Sequence, residues 1–589
     1  MAAPCERIIL TRLQEGPLLT GELAYVFLVA ILDAALISWI ALRWYRRSVR
    51  RLMRQPGTPA AASAPVGSAP DNPRSAPAAS LNPLTVAVFQ EQDVPVSRRS
   101  HHAGIGWRRL SVAYAIGAAL HSAVITAFFL DFDTSLPIAA WFMQWWVLGW
   151  PIVPTLAVVL VLNRYEVVRL AIGYVTIGGL AIATVTLTGQ VLRRSFSDAA
   201  LTNGFWFAVI LAKVAYFPLA LLLISGWRRI RAVTPLALSS TLVFGFALML
   251  FRHALTEAFN LESIRSVLLD LSALTSGYFS YYGVFMVLVL PVGWVAWRLL
   301  QLLAARFDRK RFSDVQLVVD CWWLIVTAEE IVTGLSTKYG FGGIAAGLAA
   351  FTVYRAAVAL TLAWLPGPHR DHPKTRLLLL RVFGYQARTE TLFDRVAQQW
   401  RFHGPVQLIA GVDLAMRTVD PGDMLAFVSG NLEARYVATV DDVGPRVSGL
   451  DMLRDPDGRF RVNEVYCRDD TWRAAVQALI DTTDIVLMDL RGFSNVNSGC
   501  AFELEQLVSR LPPDRIVLVY DHTTDLRLLG NFLSDGWQRA AHDRAPTGGP
   551  ISCVRVEQNS WSELQLLMRR LVGLEQPRRV VAAADLASA

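Results

Sequence analysis

Lysine is almost missing from this chain of 589 residues: Lys213, Lys310, Lys338 and Lys374 are the only ones among 56 basic residues. None follows a glycine or sits in a Gly-rich loop, so a phosphate-cradling P-loop is excluded. None falls in a kinase-type strand either. The arginine excess reads as a compositional bias of the genome, not as function. Cysteine is also scarce. Cys5, Cys321, Cys467, Cys500 and Cys553 are scattered without a C-x-x-C pair, which excludes a zinc ribbon and a thioredoxin-type motif. They read as small buried hydrophobes. H-E-x-x-H and G-x-G-x-x-G are both missing, and with them the zinc-protease helix and the standard dinucleotide fingerprint.

Charge is low as well. Charged residues make up 18% of the chain, against about a quarter in an ordinary soluble domain, while 53% are hydrophobic and the mean hydropathy is +0.38. Disorder and collagen are excluded on the same composition. Much of the chain is therefore expected to face something other than water.

What is present is a set of long apolar runs. The first, 24–42, is followed by Arg43, Arg46, Arg47, Arg50, Arg51 and Arg54. About twenty apolar residues cross a bilayer and arginines stay on the cytoplasmic side, so residues 1–43 are expected to form an outside-to-inside span. Residues 44–108, rich in Pro, Ala and Ser, read as a cytoplasmic linker. Further runs lie near 110–130, 137–162, 167–190, 205–226, 235–252, 279–303, 316–336 and 341–365. Together they predict a helical membrane domain over 109–366 and about nine spans in all, with the N-terminus outside and the C-terminus in the cytoplasm of a bacterial inner membrane. The segment 253–278, with Leu261, Ile264, Leu268 and Leu271 at helical spacing, reads as a surface-lying or packed helix.

Ionisable residues fall in or near these runs: Asp33, Lys213, Asp320, Glu329, Glu330 and Arg355. Charge within a bilayer is costly and is normally paired or functional. An ion pair between Glu329 or Glu330 and Arg355 is expected, and a proton or ion pathway would use the same residues. His121 reads as a hydrogen-bonded helix contact, and Gly343 to Gly347 (GIAAG) as a small-residue packing motif.

Beyond Pro373 the pattern changes. Short apolar strands, at Leu377–Phe383, Val406–Ala410, Phe460–Tyr466, Ile485–Asp489, Ile516–Tyr520 and Ile551–Val556, alternate with amphipathic helices. This predicts an α/β doubly wound parallel sheet over 371–575, followed by a disordered tail over 576–589. One helical face carries Trp472, Ala475, Val476, Leu479 and Ile480, and another Leu504, Leu507, Val508 and Leu511. The run DPDGRF reads as a turn.

Ligands of open parallel sheets bind beyond the carboxyl ends of the strands. The polar residues that follow the strands are Arg388, Asp413, Asp489, Arg491, Ser494, Asn497, Asp521 and His522, and these are the candidate ligand-binding residues. No metal-ligand set stands out.

The run RDDTWRAAVQALIDTTDIVLMDLRGFSNVNSGCAFELEQL resembles the second half of a TIR (Toll/interleukin-receptor-like) domain: an amphipathic helix, a strand ending in a polar turn, then a Ser-x-x-C-x-x-E-L-like element, here Ser498 to Leu504. The opening LLLLRVFGYQARTETLFDRVAQQW is similar to the family's first strand and helix. Gly499 stands where the family usually has Trp before the cysteine. The resemblance covers about 150 residues and implies a flavodoxin-like fold. In NAD-cleaving members the glutamate of this element contacts the nicotinamide ribose, and the matching residue is Glu503, whose implied role is catalytic. Other members assemble without activity, which implies self-association. The resulting expectation is a membrane-anchored signalling or effector protein that binds NAD, another nucleotide or a protein partner, without nucleic acid. NAD cleavage is one alternative. A transporter or channel with a regulatory cytoplasmic domain is another.

Overall fold

The computed structural model describes residues 35–52, 83–89, 101–135, 138–160, 166, 168–180, 236–243, 277–366, 375–381, 386–410, 421–468, 470–495, 497–540, 549–573 and 579–588. The chain forms two compact units. One comprises residues 1–47, 109–365 and 418–431, and the other 48–108, 366–417 and 432–589.

The first unit is helical. Its long helices are α1 (His101–Phe129), α2 (Gly277–Asp308), α3 (Asp314–Glu330) and α4 (Phe341–Trp364). Among the described residues two helices are long and apolar enough to cross a membrane, Gly106–Phe129 and Gly342–Trp364. The described residues therefore correct the expected nine spans to two candidates. The run 137–162 breaks at Trp150–Pro151 into Ile138–Leu148 and Ile152–Val159, where Pro151 lacks the N–H that an uninterrupted helix would donate. The run 316–336 passes from α3 into a π-helical turn, Ile331–Leu335. The runs 167–190 and 235–252 are described only over 168–180 and 236–243, and 205–226, most of 253–278, and Asp33 and Lys213 lie outside the described residues.

α3 begins at a capping box: the Ser313 hydroxyl accepts from the Gln316 backbone N–H, and the Gln316 side chain accepts from the Ser313 N–H. α3 and α4 pack as a hairpin. A Cβ on Gly347 would lie 2.4 Å from Ile331 Cγ1 and 3.3 Å from Thr327 Cγ2, so the predicted small-residue motif does let two helices approach closely. This hairpin register decides the ion pairing. Arg355 sits opposite Asp320, with Nη1 2.7 Å from Oδ2. The expected partners Glu329 and Glu330 lie nearer the turn, out of its reach. A further helix, Pro421–Ser429, belongs to this unit and packs on α2.

The second unit is built on a nine-stranded sheet. Its strands are β1 (Thr85–Phe89), β2 (Leu377–Arg381), β3 (Val406–Ala410), β4 (Tyr436–Val437), β5 (Val462–Cys467), β6 (Ile485–Asp489), β7 (Ile516–Tyr520), β8 (Ile551–Arg555) and β9 (Arg579–Ala582). They lie in the order 4-5-3-2-6-7-8-1-9. All neighbours are parallel except β1 and β9. The six predicted strands are present. Three others arise where strands were not expected, one of them the two-residue β4 at the edge beside β5. Thr85–Phe89, within the Pro/Ala/Ser-rich segment, runs parallel beside β8, with Val86 and Ala87 buried. Arg579–Ala582, in the supposed disordered tail, closes the edge beside β1. TVAVF and RVVA are short β-branched runs whose stability comes from these pairings, which local composition does not reveal.

Helices cover both faces. On one face lie α6 (Trp472–Thr482), α7 (Ser498–Arg510) and α8 (Leu526–Ala540), whose Val476, Leu479, Leu504, Leu507, Leu529 and Leu533 meet Leu378, Val486, Met488 and Leu518 of the sheet. On the other lie α5 (Gln386–Trp400) and α9 (Trp561–Leu571), which contact each other. The DPDGRF turn forms as predicted. Gly458 N–H donates to the Asp455 carbonyl at 2.9 Å, with φ +89° at Gly458, a conformation that needs glycine.

Candidate functional site

The sheet reverses its winding between β2 and β6. From β2 the chain moves outward through β3 to β5 on one side, then returns to β6 and continues through β7 and β8 on the other. Such a switch point leaves a crevice at the carboxyl ends, because the flanking connections leave in opposite directions. Arg381 ends β2 and Asp489 ends β6, and the two are in register. Both are buried.

Arg491 lies two residues beyond β6 and folds back. Its Nε donates to Asp489 Oδ1 at 2.9 Å and its Nη2 to Oδ2 at 2.7 Å. Its Nη1 donates to Asn559 Oδ1 at 2.8 Å. Asp489 and Arg491 are 1% and 2% exposed, so this two-pronged pair is desolvated and depends on both members. Asn559 holds its position in the left-handed backbone region (φ +55°), which asparagine tolerates better than most residues. Its carbonyl accepts from Arg395 of α5.

Glu503 is on the second turn of α7 and is 3% exposed. Burial pushes its carboxyl up to about 8, and the nearby Arg381 guanidinium offsets only part of that. Its Oε2 is buried and makes no hydrogen bond to another described residue. One turn earlier the Cys500 thiol lies 3.6 Å from the Arg381 carbonyl oxygen, in the core. Cys467 and Cys553 are also buried, and burial pushes each thiol up to about 12, so neither is a nucleophile at neutral pH.

A second group follows β7 and β8. Asp521 is buried, and its Oδ1 accepts from the Thr523 N–H at 2.9 Å and the Thr523 hydroxyl at 2.5 Å. His522 Nδ1 is 2.7 Å from Glu557 Oε2, and Arg555 Nη2 is 2.9 Å from Glu557 Oε1. Burial is the largest single influence on Glu557 and raises its pKa, but the hydrogen bonds and charges of His522 and Arg555 together outweigh it and hold the carboxyl below its ordinary value. Ligand atoms of Asp521, His522 and Glu557 all lie within 4.8 Å of one another. The trio has the donor types for a divalent cation, although Arg555 and His522 already satisfy the Glu557 carboxylate.

The candidate residues from the sequence therefore divide. Asp489 and Arg491 bind each other, and Ser494 donates its N–H and hydroxyl to Asn497 Oδ1 at 2.9 and 3.1 Å, fixing the loop that enters α7. Asp521 and His522 adjoin Glu557, one strand away. Asp413 and the side chain of Arg388 lie outside the described residues. Sequence reasoning missed Arg381, Arg395, Glu557 and Asn559. Arg381 carries a visible signal, since it is the charged end of LLLLR, a strand otherwise wholly apolar. Asn559 carries none, because its role depends on a backbone conformation.

In the helical unit, His121 is the expected hydrogen-bonded contact, with Nε2 2.9 Å from Thr327 Oγ1. No protein-family model, no curated protein and no solved structure matches this chain. What stands behind the resemblance to a TIR-like domain is thus the mostly parallel sheet of its C-terminal part, together with two apolar helices compatible with a membrane attachment.

Proposed function

We propose that the protein is a membrane-anchored signalling or effector protein whose α/β unit binds a nucleotide-like ligand at the β2/β6 switch point. The observation that carries this reading is Glu503: a carboxyl buried beside Arg381 at the carboxyl edge of the sheet, with one oxygen unpartnered among the described residues. A buried polar atom without a partner is costly in a fold that serves packing alone. With its pKa near 8 the group is mostly protonated at neutral pH, so it donates a hydrogen bond while Arg381 supplies positive charge.

Membrane anchoring is supported by the outer faces of the two candidate spans. Val112, Ile116 and Leu120 of α1 and Leu348, Leu360 and Trp364 of α4 are all exposed, an apolar surface that suits lipid. Arg306 in the last turn of α2, with Arg309, Lys310 and Arg311 between α2 and α3, favours the cytoplasmic side for that loop. In this reading the C-terminal unit is cytoplasmic.

NAD cleavage is the second reading, and Glu503 favours it too. Breaking the nicotinamide–ribose bond builds positive charge on the ribose, which a carboxylate stabilises and a carboxylic acid does not. Cleavage by Glu503 would therefore rise with pH through about 8. The test uses the full chain in detergent, because β1 precedes the long helical segment 109–365 while the other strands follow it. NAD and other nucleotides are titrated against wild type, Glu503→Ala and Arg381→Ala, with nicotinamide release followed from pH 6 to 9. Saturable binding lost in both variants supports the site. Nicotinamide release that climbs with pH and vanishes in Glu503→Ala supports cleavage. Unaltered binding in both variants removes the proposal.

A further inference from the structure

The helical unit buries a string of polar side chains where α1, α3 and α4 meet. Tyr114, His121, Ser122 and Thr126 share one buried face of α1. Trp323, Thr327 and Glu330 of α3 and Tyr354 of α4 complete it, and the partly exposed pair Asp320–Arg355 lies at one end. The order along α1 is consistent. A Cβ on Gly117 would touch Tyr354 and Val358 of α4, His121 meets Thr327, and past the end of α1 Asp131 pairs with Lys338 (2.5 Å) and accepts from the Tyr339 hydroxyl. From Tyr114 to Asp131 the string runs about 25 Å at the helical rise, close to the roughly 30 Å of a bilayer's hydrocarbon core.

His121 occupies the middle. The Thr327 hydroxyl donates to the Trp323 carbonyl at 2.7 Å, so its one hydrogen is committed. At 2.9 Å, His121 Nε2 must then be the donor to Thr327 Oγ1, which fixes the hydrogen on Nε2. Nδ1 is left as a bare acceptor, buried and without a hydrogen-bond partner among the described residues. Glu330 Oε2 lies 3.9 Å from Nε2. The Trp323 ring packs edge-on to the imidazole and stacks on Tyr354. The groups facing His121 are thus Thr327 and Glu330 of α3, Trp323 with Tyr354 of α4 behind it, and Tyr114 two turns back on α1.

Three more polar atoms in this contact make no hydrogen bond to a described residue: Ser122 Oγ, Thr126 Oγ1 and Trp323 Nε1. Buried polar groups nearly always have a partner, in the protein or in ordered water. Four such atoms along one helical seam mark it as a lining that takes hydrogen-bonding guests. We propose that α1, α3 and α4 enclose a proton relay with His121 at its centre, running between the Asp131–Lys338–Tyr339 end and the Asp320–Arg355 end. A proton reaching Nδ1 converts the neutral ring to imidazolium. The proton on Nε2 then leaves towards Thr327 and the Glu330 carboxyl, and the ring is neutral again with its hydrogen on Nδ1. One proton enters, one leaves, and a ring rotation resets the original tautomer.

This inference rests on the reading of α1 and α4 as membrane spans, and the test separates the two. Full-length protein is reconstituted into sealed vesicles holding a pH-sensitive dye, and a potassium diffusion potential drives proton entry. Alkaline carbonate washing of the same vesicles reports integration. Dye acidification well above that of protein-free vesicles is expected, falling about a hundredfold in His121→Gln, the scale on which a positioned acid–base group acts. Thr327→Val keeps the packing volume and should also slow the flux. Protein washed off by carbonate overturns the membrane reading and the relay with it. Protein that stays integrated yet conducts no faster than bare vesicles overturns the relay alone, as does undiminished flux in both variants.

Discussion

The two units bury opposite things. The helical unit encloses His121, Ser122, Thr126, Thr327 and Glu330 and turns Ile116, Leu120, Leu360 and Trp364 outward. The α/β unit encloses Leu378, Val486, Leu487 and Leu518, and its large exposed hydrophobic residues are few, with Val440, Leu453, Trp561 and Val580 among them. A water-soluble fold gains stability by hiding apolar area, so the second pattern needs no special solvent. The first suits surroundings that are themselves apolar, as the proposed membrane attachment would supply. The contrast teaches that burial direction, more than helix length, separates a lipid-facing helix from a core helix.

The largest expected effect sets the units directly against each other. Leu487→Asp, in the central strand β6, should cost about 5 kcal/mol or more by burying an unpaired carboxylate. Thermal unfolding of the purified chain should show the sheet melting far earlier. Ile116→Asp, on the outward face of α1, should cost about 3 kcal/mol of insertion if that face meets lipid and almost nothing if it meets water. A variant that enters membranes as well as wild type would break the comparison.

Next comes Arg491→Ala. It strands the Asp489 carboxylate at 1% exposure, and losing one member of such a pair costs about 3–5 kcal/mol. Adding Asp489→Leu should restore part of that loss in a denaturant titration, because no charge then remains buried. If the double variant is weaker than the single, the pair is not what holds the loop.

Glu503 gives a smaller, pH-dependent effect. Its folded pKa, about 8, stands above its ordinary value of 4.5. The unfolded chain therefore releases this proton first, and stability falls as pH rises from 4.5 through 8. Glu503→Gln should flatten that decline in melting temperature over the same window, and an unchanged slope would assign the decline to other groups.

The smallest effects should be equal in the two units. Ser313 and Ser560 each close a capping box, with Gln316 and Glu563 respectively. Either serine changed to alanine should cost about 1 kcal/mol, since a cap is a local device. Markedly unequal losses, measured by hydrogen exchange in the first turns of α3 and α9, would show that surrounding solvent modulates even these.

Much of the sheet was legible because its central strands are continuous apolar runs bounded by turns. LLLLR, IVLMD and IVLVY announce themselves, and so do the faces of α6 and α7. β9 and its neighbour β1 were not, because TVAVF and RVVA become strands only through partners far away in sequence. The site was half legible. Asp489, Arg491 and Glu503 follow strands in reading order, whereas Asn559 and Arg395 join them only by folding. Among the described residues fewer spans are present than the apolar runs suggested, because a run such as 137–162 is interrupted at Pro151. Arg355 was matched to the wrong acid because sequence proximity of spans does not fix hairpin register.

Strand β1 carries a consequence for how the molecule is made. It leaves the ribosome about 460 residues before the β8 segment it pairs with, a wait of roughly half a minute or longer at typical elongation rates. During that interval TVAVF has neither neighbour, since β9 is translated later still. Segments far apart in the order of synthesis are thereby stitched together, and a product truncated before β8 is left with an open seam that quality-control proteases can recognise.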